Sequence, residues 1–316
     1  MSDTTASTTL ICDGFTAAGF LDETKLSLTS YSASHHKTLM QSNAVWNHAT
    51  SLNTFRRTKG PYIQDVPTIS CEISFEPDSD LLKNIIDKII DTRNAIFTVG
   101  ITDSASEINW DFSECYMQSF SFDVSMDSIL SASASFFVVP EQLSYTWSDR
   151  TNPQYGSNNN LPLKTPIPYY AWKISKFLEG ETKEITDITE FSFSFNQSIT
   201  PKYACCGSSE NTAPSATHLL FGIPTIEFGL TRLMVKSGSF IECESSVEDF
   251  TSHKDKTTLD TNKLLFAIRN TNLFELTGLT EIEKTPTFEG VPAMRTTYSV
   301  NGILKKGEED SDSSES

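Results

Sequence analysis

VPTISCEISF (residues 66–75) and IPTIEFGLTR (residues 223–232) decide how this chain is read. Each opens with an aliphatic residue followed by Pro-Thr-Ile and continues as alternating apolar and polar positions, the period of a strand with one buried face. They stand 157 positions apart (223 less 66), about half of the 316 residues. A pattern that recurs at half the chain length points to one unit written twice. Pro67 and Pro224 occupy the same place in the two copies. Proline cannot donate to a ladder and marks an edge, a strand start or a bulge, so a shared proline implies a shared bend.

Working outward, further strands are expected at residues 26–31 (LSLTSY), 62–75, 95–101, 116–124 and 130–139 in the first half. In the second half they are expected at 169–177, 188–195 (ITEFSFSF), 219–235, 263–269 (KLLFAIR) and within 285–304. In ITEFSFSF, Phe191, Phe193 and Phe195 share one face, and Ser192 and Ser194 the other. Residues 80–94, DLLKNIIDKIIDTRN, form the clearest helix. Leu81, Leu82, Ile85, Ile86, Ile89 and Ile90 make one stripe at helical spacing, and Asp78 or Ser79 caps its start. A flanking stripe of this kind is expected to cover its own core rather than to bind a partner. Residues 39–56 read as loop with some local helix, 196–215 as a long loop, and 239–256 as a polar stretch with room for only a short helix around Val247 and Phe250. Residues 140–168 are dense in Pro, Asn, Gly and Ser and read as a linker. The expected organisation is a first β unit over 1–155, a second over 156–305 and an acidic tail over 306–316.

Composition narrows the function. Phe (21) far outnumbers Trp (4), and Ser and Thr are abundant, which suits half-buried strands. The net charge is −17. Glu308, Glu309, Asp310, Asp312 and Glu315 crowd the tail, but 41 acids less these five still leave 36 against 24 bases. An acidic body repels nucleic acid and acidic membranes and argues against a DNA-reading protein, though not against a channel through which nucleic acid slides without sticking. Cys12, Cys71, Cys115, Cys205, Cys206 and Cys243 show no zinc spacing and read as free thiols in a reducing compartment. The opening MSDTTASTTLICDGF lacks a basic segment, and no stretch approaches the ~20 apolar residues of a membrane span. A soluble protein made in the cytosol is expected.

The chemistry-bearing motifs are missing: there is no GxSxG, HExxH, P-loop or GxGxxG. His35 and His36 form the one histidine cluster and read as part of a solvated Ser-rich loop, because adjacent strand positions point to opposite faces and chelate poorly. Asp111, Glu114 and Asp123 read as solvated carboxylates rather than an acid–base pair. The Asn196-Gln197-Ser198 sequon carries no weight without a secretory signal. No catalytic, cofactor-binding or metal-binding residues are expected, and the chain is not expected to be an enzyme.

ITEFSFSFNQSITPKY (188–203), a loop, FGIPTIEFGLTRL (221–233), an insert, KLLFAIR (263–269) and a closing strand near 295–304 together resemble the tail tube proteins of tailed bacteriophages. The first half repeats that order with LSLTSY, VPTISCEISF, the helix, IFTVGI and LSASASFFVV. The resemblance implies a mainly β chain of two tandem antiparallel barrel or sandwich units, each with a flanking helix and a long loop. It implies rings made by joining sheets across subunits, stacked around a lumen that delivers the viral genome. Family rings have six such units, so two units per chain imply a trimer with pseudo-sixfold symmetry, or else a hexamer. Implied partners are the chain itself, a sheath, baseplate proteins and DNA in transit, and the implied location is the virion tail after synthesis in the host cytoplasm. A baseplate hub or tube initiator is the alternative within the family. A two-domain carbohydrate-binding module is the alternative outside it, and would need Trp46, Trp110, Trp147 or Trp172 exposed in a cleft.

Overall fold

The computed structural model describes residues 17–22, 24–36, 39–40, 62–63, 68–92, 94–103, 108–126, 128–138, 143–145, 167–178, 181–203, 216–233, 235–237, 240–242, 263–269, 271–287, 293–300 and 304–307. The protein is mainly β. The first half contains β1 (Ala17–Leu21), β2 (Thr24–His36), β3 (Leu39–Met40), β4 (Tyr62–Ile63), β5 (Thr68–Glu76), α1 (Ser79–Asp91), β6 (Ile96–Asp103), β7 (Ile108–Ser125), β8 (Ser131–Val138) and β9 (Leu143–Tyr145). The second half contains β10 (Trp172–Leu178), β11 (Glu181–Glu184), β12 (Ile188–Asn196), β13 (Ile199–Tyr203), β14 (Ala216–Phe221), β15 (Thr225–Leu233), β16 (Val235–Ser237) and β17 (Phe240–Glu242). It ends with β18 (Lys263–Ile268), β19 (Thr271–Thr277), β20 (Leu279–Thr287), β21 (Ala293–Val300) and β22 (Leu304–Lys306).

In the first half the antiparallel pairings run β7–β6–β1–β2–β5–β8 and return to β7, closing a barrel of six strands. Over the paired lengths, closure removes sheet edges that would otherwise invite another chain. Leu26, Ile73, Phe75, Phe97, Val99, Phe112, Phe120 and Phe136 fill its interior, in one buried core with the helix residues Leu81, Leu82, Ile85 and Ile86. The helix starts where Asp78 accepts the Leu81 N–H at 2.8 Å. It stops at the extended Thr92, a few residues short of the end read from the sequence. Lys88 ties it to Asp22 at 2.8 Å.

The second half follows the same pairing order. β12–β15–β21 succeed one another as β2–β5–β8 do, and β10–β18–β19 as β1–β6–β7 do. The irregularities recur as well. Between β2 and β5, Leu28 pairs with Phe75 and Ser30 with Ser74, leaving Thr29 as the extra residue. Between β12 and β15, Ile188 pairs with Arg232 and Glu190 with Thr231, leaving Thr189. Two residues of β7, Ser113 and Glu114, stand against Thr98 of β6, and one residue of β19, Leu273, is skipped opposite β18. Gln118 is skipped between β7 and β8, and Ile282 between β20 and β21. Two of these register shifts, at Thr29 and Thr189 and at Gln118 and Ile282, therefore stand at matching places in the two halves. A bulge bends and twists its strand, so matching bulges imply matching curvature.

The halves differ in the continuity of two strands. Where the first half has the unbroken β2, the second has β11 and β12 parted at residues 185–187. Where the first has the 18-residue β7, the second has β19 and β20 parted at Gly278, whose φ of 65° suits a residue without Cβ. The five-stranded sheet β11-β10-β18-β19-β22 thus lies apart in pairing from β12-β15-β21-β20. Aromatic contacts join them: Phe191 to Phe266 at 6.3 Å and Phe193 to Phe274 at 5.4 Å between ring centroids.

Several expectations are corrected. His35 and His36 are the last residues of β2, paired with Ile69 and Thr68, not part of a loop. Of the long loop expected over 196–215, residues 199–203 are β13, and they pair with β14. Residues 240–242, within the stretch given room for a helix, are strand β17; Val247 and Phe250 lie outside the described residues. Within the linker segment 140–168, residues 143–145 form β9 on the edge of β7, and the expected boundary near 155 lies outside the described residues. The partner of β8 in the second half begins at Ala293 rather than Arg295.

Phe193 is almost wholly buried and touches the rings of Phe120, Phe122 and Phe274. Phe193→Ala is expected to cost about 3–5 kcal/mol, read as a lower denaturant midpoint with an unchanged slope in urea unfolding.

Candidate assembly surface

β7 joins the halves. One of its edges pairs with β6 over residues 108–116 and then with β12 over 119–125. Its other edge pairs with β9 over 110–112 and then with β8 over 115–123. The β7–β12 junction runs from Ser119↔Asn196 to Ser125↔Glu190 without a register shift. Phe120, Phe122 and Val124 of β7 and Phe191, Phe193 and Phe195 of β12 are buried on one side of it. Phe122 and Phe193 stack at 5.2 Å, and Trp172 stacks on Phe122 at 5.8 Å. Such pairs add about 0.5–1.5 kcal/mol each beyond the area they bury.

The opposite face carries small hydroxyl side chains. Ser131 and Ser133 of β8 are exposed, and Ser121 and Ser125 of β7 and Ser192 and Ser194 of β12 are half-buried. The Ser121 and Ser133 hydroxyls lie 2.9 Å apart. A Cβ on Gly229 would fall 2.5 Å from the Ser192 hydroxyl oxygen, so the side chains are smallest where the strands press closest. Asp123, Glu190 and Arg295 border a shallow depression in this face. Burial pushes the Asp123 carboxyl above the usual carboxylate range; Arg295 pulls it down and Glu190 pushes it further up.

The continuous ribbon across both halves is β2-β5-β8-β7-β12-β15-β21-β20. Its two ends are edges among the described residues. Among the described residues β20 pairs only with β21, and residues 32–36 of β2 pair only with β5. Glu283, Thr285 and Pro286 are exposed on β20. Proline and charge on an edge strand hinder indiscriminate pairing.

Arg232 stands where the first half has the buried Phe75, opposite Ile188 as Phe75 is opposite Leu28. Its guanidinium donates to both carboxylate oxygens of Asp187 at 2.9 and 2.6 Å, with 8% and 17% of the two side chains exposed. Asp187 lies in the break between β11 and β12, and its carbonyl accepts the Leu233 N–H at 2.8 Å. This ion pair was not singled out from the sequence. The signal available was Arg232 at the apolar end of an otherwise matched repeat.

Asp111, Glu114 and Asp123 all lie along β7, the outer two twelve positions apart, or about 40 Å along a strand, and do not meet as an acid–base pair. Burial raises the Asp111 carboxyl. Cys71 and Cys115 are fully buried. Burial, with Glu72 adding to it, raises the Cys71 thiol to about 12. Burial and the nearby Cys71 push Cys115 upward too. Cys12, Cys205, Cys206, Cys243, Trp46, Trp147 and residues 308–316 lie outside the described residues. Trp110 packs edge-on to Tyr31, and Trp172 is sandwiched with Phe122 and Phe191, so neither stands in an open cleft. Asn196 is exposed at the end of β12. A groove of about 350 Å³ lies between the end of α1, Tyr116, Phe221 and Leu304.

No family model and no curated protein sequence matches the chain. Among solved structures it is similar to a protein of the tail of an empty gene transfer agent particle in C6 symmetry, at 11% identity and TM-score 0.31, over 44% of this chain and 97% of that one. It is also similar to a protein of the virion of a native gene transfer agent particle, at 10% identity and TM-score 0.29, over 43% of this chain and 95% of that one.

Asp187→Ala leaves the enclosed Arg232 without its counter-charge and is expected to destabilise the protein by about 3–5 kcal/mol, measured by urea unfolding. The two buried thiols are expected to resist a thiol-exchange reagent in the native state and to react on unfolding. Because folding raises their pKa, the unfolded state loses its thiol protons first. Stability is therefore expected to fall as pH climbs from 9 towards 12, and Cys71→Ala to flatten that decline.

Proposed function

We propose that the chain is a structural subunit of a phage-type tail tube, built from two tandem copies of one β-barrel unit. The observation that supports this most is the β7–β12 junction. It joins strands of the two halves edge to edge into one ribbon, with a buried aromatic face and a face of small hydroxyls. A subunit that extends its own sheet this way, and leaves an edge at each end, suits addition of identical neighbours by main-chain pairing. When the rotation at a head-to-tail contact permits, such addition closes into a ring.

Each half contributes four strands to the ribbon, so a ring of three chains would present about 24 strands with pseudo-sixfold symmetry. Strands spaced ~4.8 Å apart and tilted about 40° give a backbone circle roughly 45–50 Å across. Barrels of about 16–18 strands already leave a water-filled channel, so this ring leaves a wider one. The hydroxyl face, with Asp123 and Glu190 on it, would line that lumen, offering few anchors and a negative potential to passing nucleic acid phosphates. In this reading the chain has no catalytic role and resides in the virion tail after synthesis in the host cytoplasm.

The test is electron microscopy of the purified protein at rising concentration, alongside light scattering. Rods with a central pore and a regular ring repeat are expected. Single rings that do not stack would shift the reading to a baseplate hub or tube initiator, and a monomer at every concentration overturns it.

A further inference from the structure

We infer that the outer edge of β20 pairs, antiparallel, with residues 32–36 of β2 in a neighbouring copy, in the register that β7 and β12 use within the chain; this rests on the tube reading and names the contact that reading requires. The correspondence comes from the skipped residues. Gln118 marks the same place on β7 that Ile282 marks on β20, since each is the extra residue opposite the equivalent strands β8 and β21. Thr189 on β12 likewise matches Thr29 on β2, opposite β15 and β5. β20 is thus the second-half counterpart of the stretch of β7 that holds β12, and β2 is the first-half counterpart of β12.

Carrying the internal pairs across gives a definite register. Ser121↔Ser194 becomes Thr285 opposite Ser34, Asp123↔Ser192 becomes Thr287 opposite Ser32, and Ser119↔Asn196 becomes Glu283 opposite His36. Among the described residues each edge is paired on its other side alone. Hydrogen-bond direction agrees. The Gln118 carbonyl accepts from the Gln197 N–H at 2.7 Å, and the Met126 N–H donates to the Thr189 carbonyl at 3.0 Å. Even-numbered positions of β7 therefore address β12, and their counterparts on β20 are Lys284 and Pro286. Pro286 brings no N–H to that edge, but its carbonyl still accepts, so the Ala33–Pro286 pair keeps one of its two bonds. A proline on the bonding side makes β20 a poor partner for an arbitrary strand. It leaves the edge to a neighbour whose curvature, set by the matching bulge at Thr29, fits it.

Positions 34 and 285, and 32 and 287, fall at non-hydrogen-bonded pairs, where Cα atoms lie about 4.5 Å apart, within disulfide reach. In a background with Cys12, Cys205, Cys206 and Cys243 replaced by serine, S34C/T285C and S32C/T287C are each assembled and oxidised. Both are expected to give a ladder of covalent dimers and trimers on non-reducing gels. S34C or T285C alone, and the mismatched S34C/E283C, should give none. As a second readout, hydrogen exchange of the unaltered protein should slow at residues 32–36 and 283–287 on assembly. Assembled protein with neither cross-links nor slowed exchange overturns this pairing and leaves the tube reading standing. Protein that stays monomeric at every concentration overturns both.

Discussion

The structure depends on one strand having four partners. β7 hydrogen-bonds to β6 and β12 along one edge and to β9 and β8 along the other. Side chains alternate with a period of two, so a slip of one residue would send Phe120, Phe122 and Val124 to the hydroxyl face and Ser121 and Asp123 into the aromatic core. That slip would break the first barrel and the junction together. The register of β7 is therefore held by both halves at once, which favours cooperation between them over independent movement.

The two halves meet the same structural demand with different chemistry. Phe75 fills the first barrel where β2 runs unbroken past it. At the equivalent place the second half has Arg232, because the strand opposite is interrupted and brings the carboxylate of Asp187 with it. An enclosed guanidinium is tolerable only with such a partner and its hydrogen bonds. A similar exchange holds Glu275 of β19, nearly buried, with both oxygens 2.8 Å from the Lys263 ammonium on β18. In the second half two of the strands are interrupted, and ion pairs sit near both of the breaks.

Much of the strand order was legible because the signals are local. The prolines, the alternation in ITEFSFSF and the aliphatic stripe of α1 depend on near neighbours in the chain. The failures have physical causes too. The first third of β7, INWDFS, carries Asp111 among its apolar residues and hides a strand that continues to Ser125. β19 is buried continuously from Leu273 to Thr277, so it shows no alternation to read. β13 and β14 are both short, and the stretch between them carries three serines, a glycine, an asparagine and a proline; the loop composition masked a hairpin. The candidate surface itself was not legible. Serines alternating with phenylalanines announce a two-faced strand but not which strand lies beside it.

The amino-acid sequence by itself determined the class, the place of the helix and, in ITEFSFSF, the division of a strand into an apolar and a hydroxyl side. These follow from propensity and period, which act over a few residues. Only the tertiary structure decided that β7 reaches across to β12, that two strands unbroken in the first half are interrupted in the second, and that the hydroxyl sides fall on one continuous face. Strand pairing joins residues some seventy positions apart, as Phe122 and Phe193 are. It is settled by the fit of whole faces and bulges, which no short window of sequence contains.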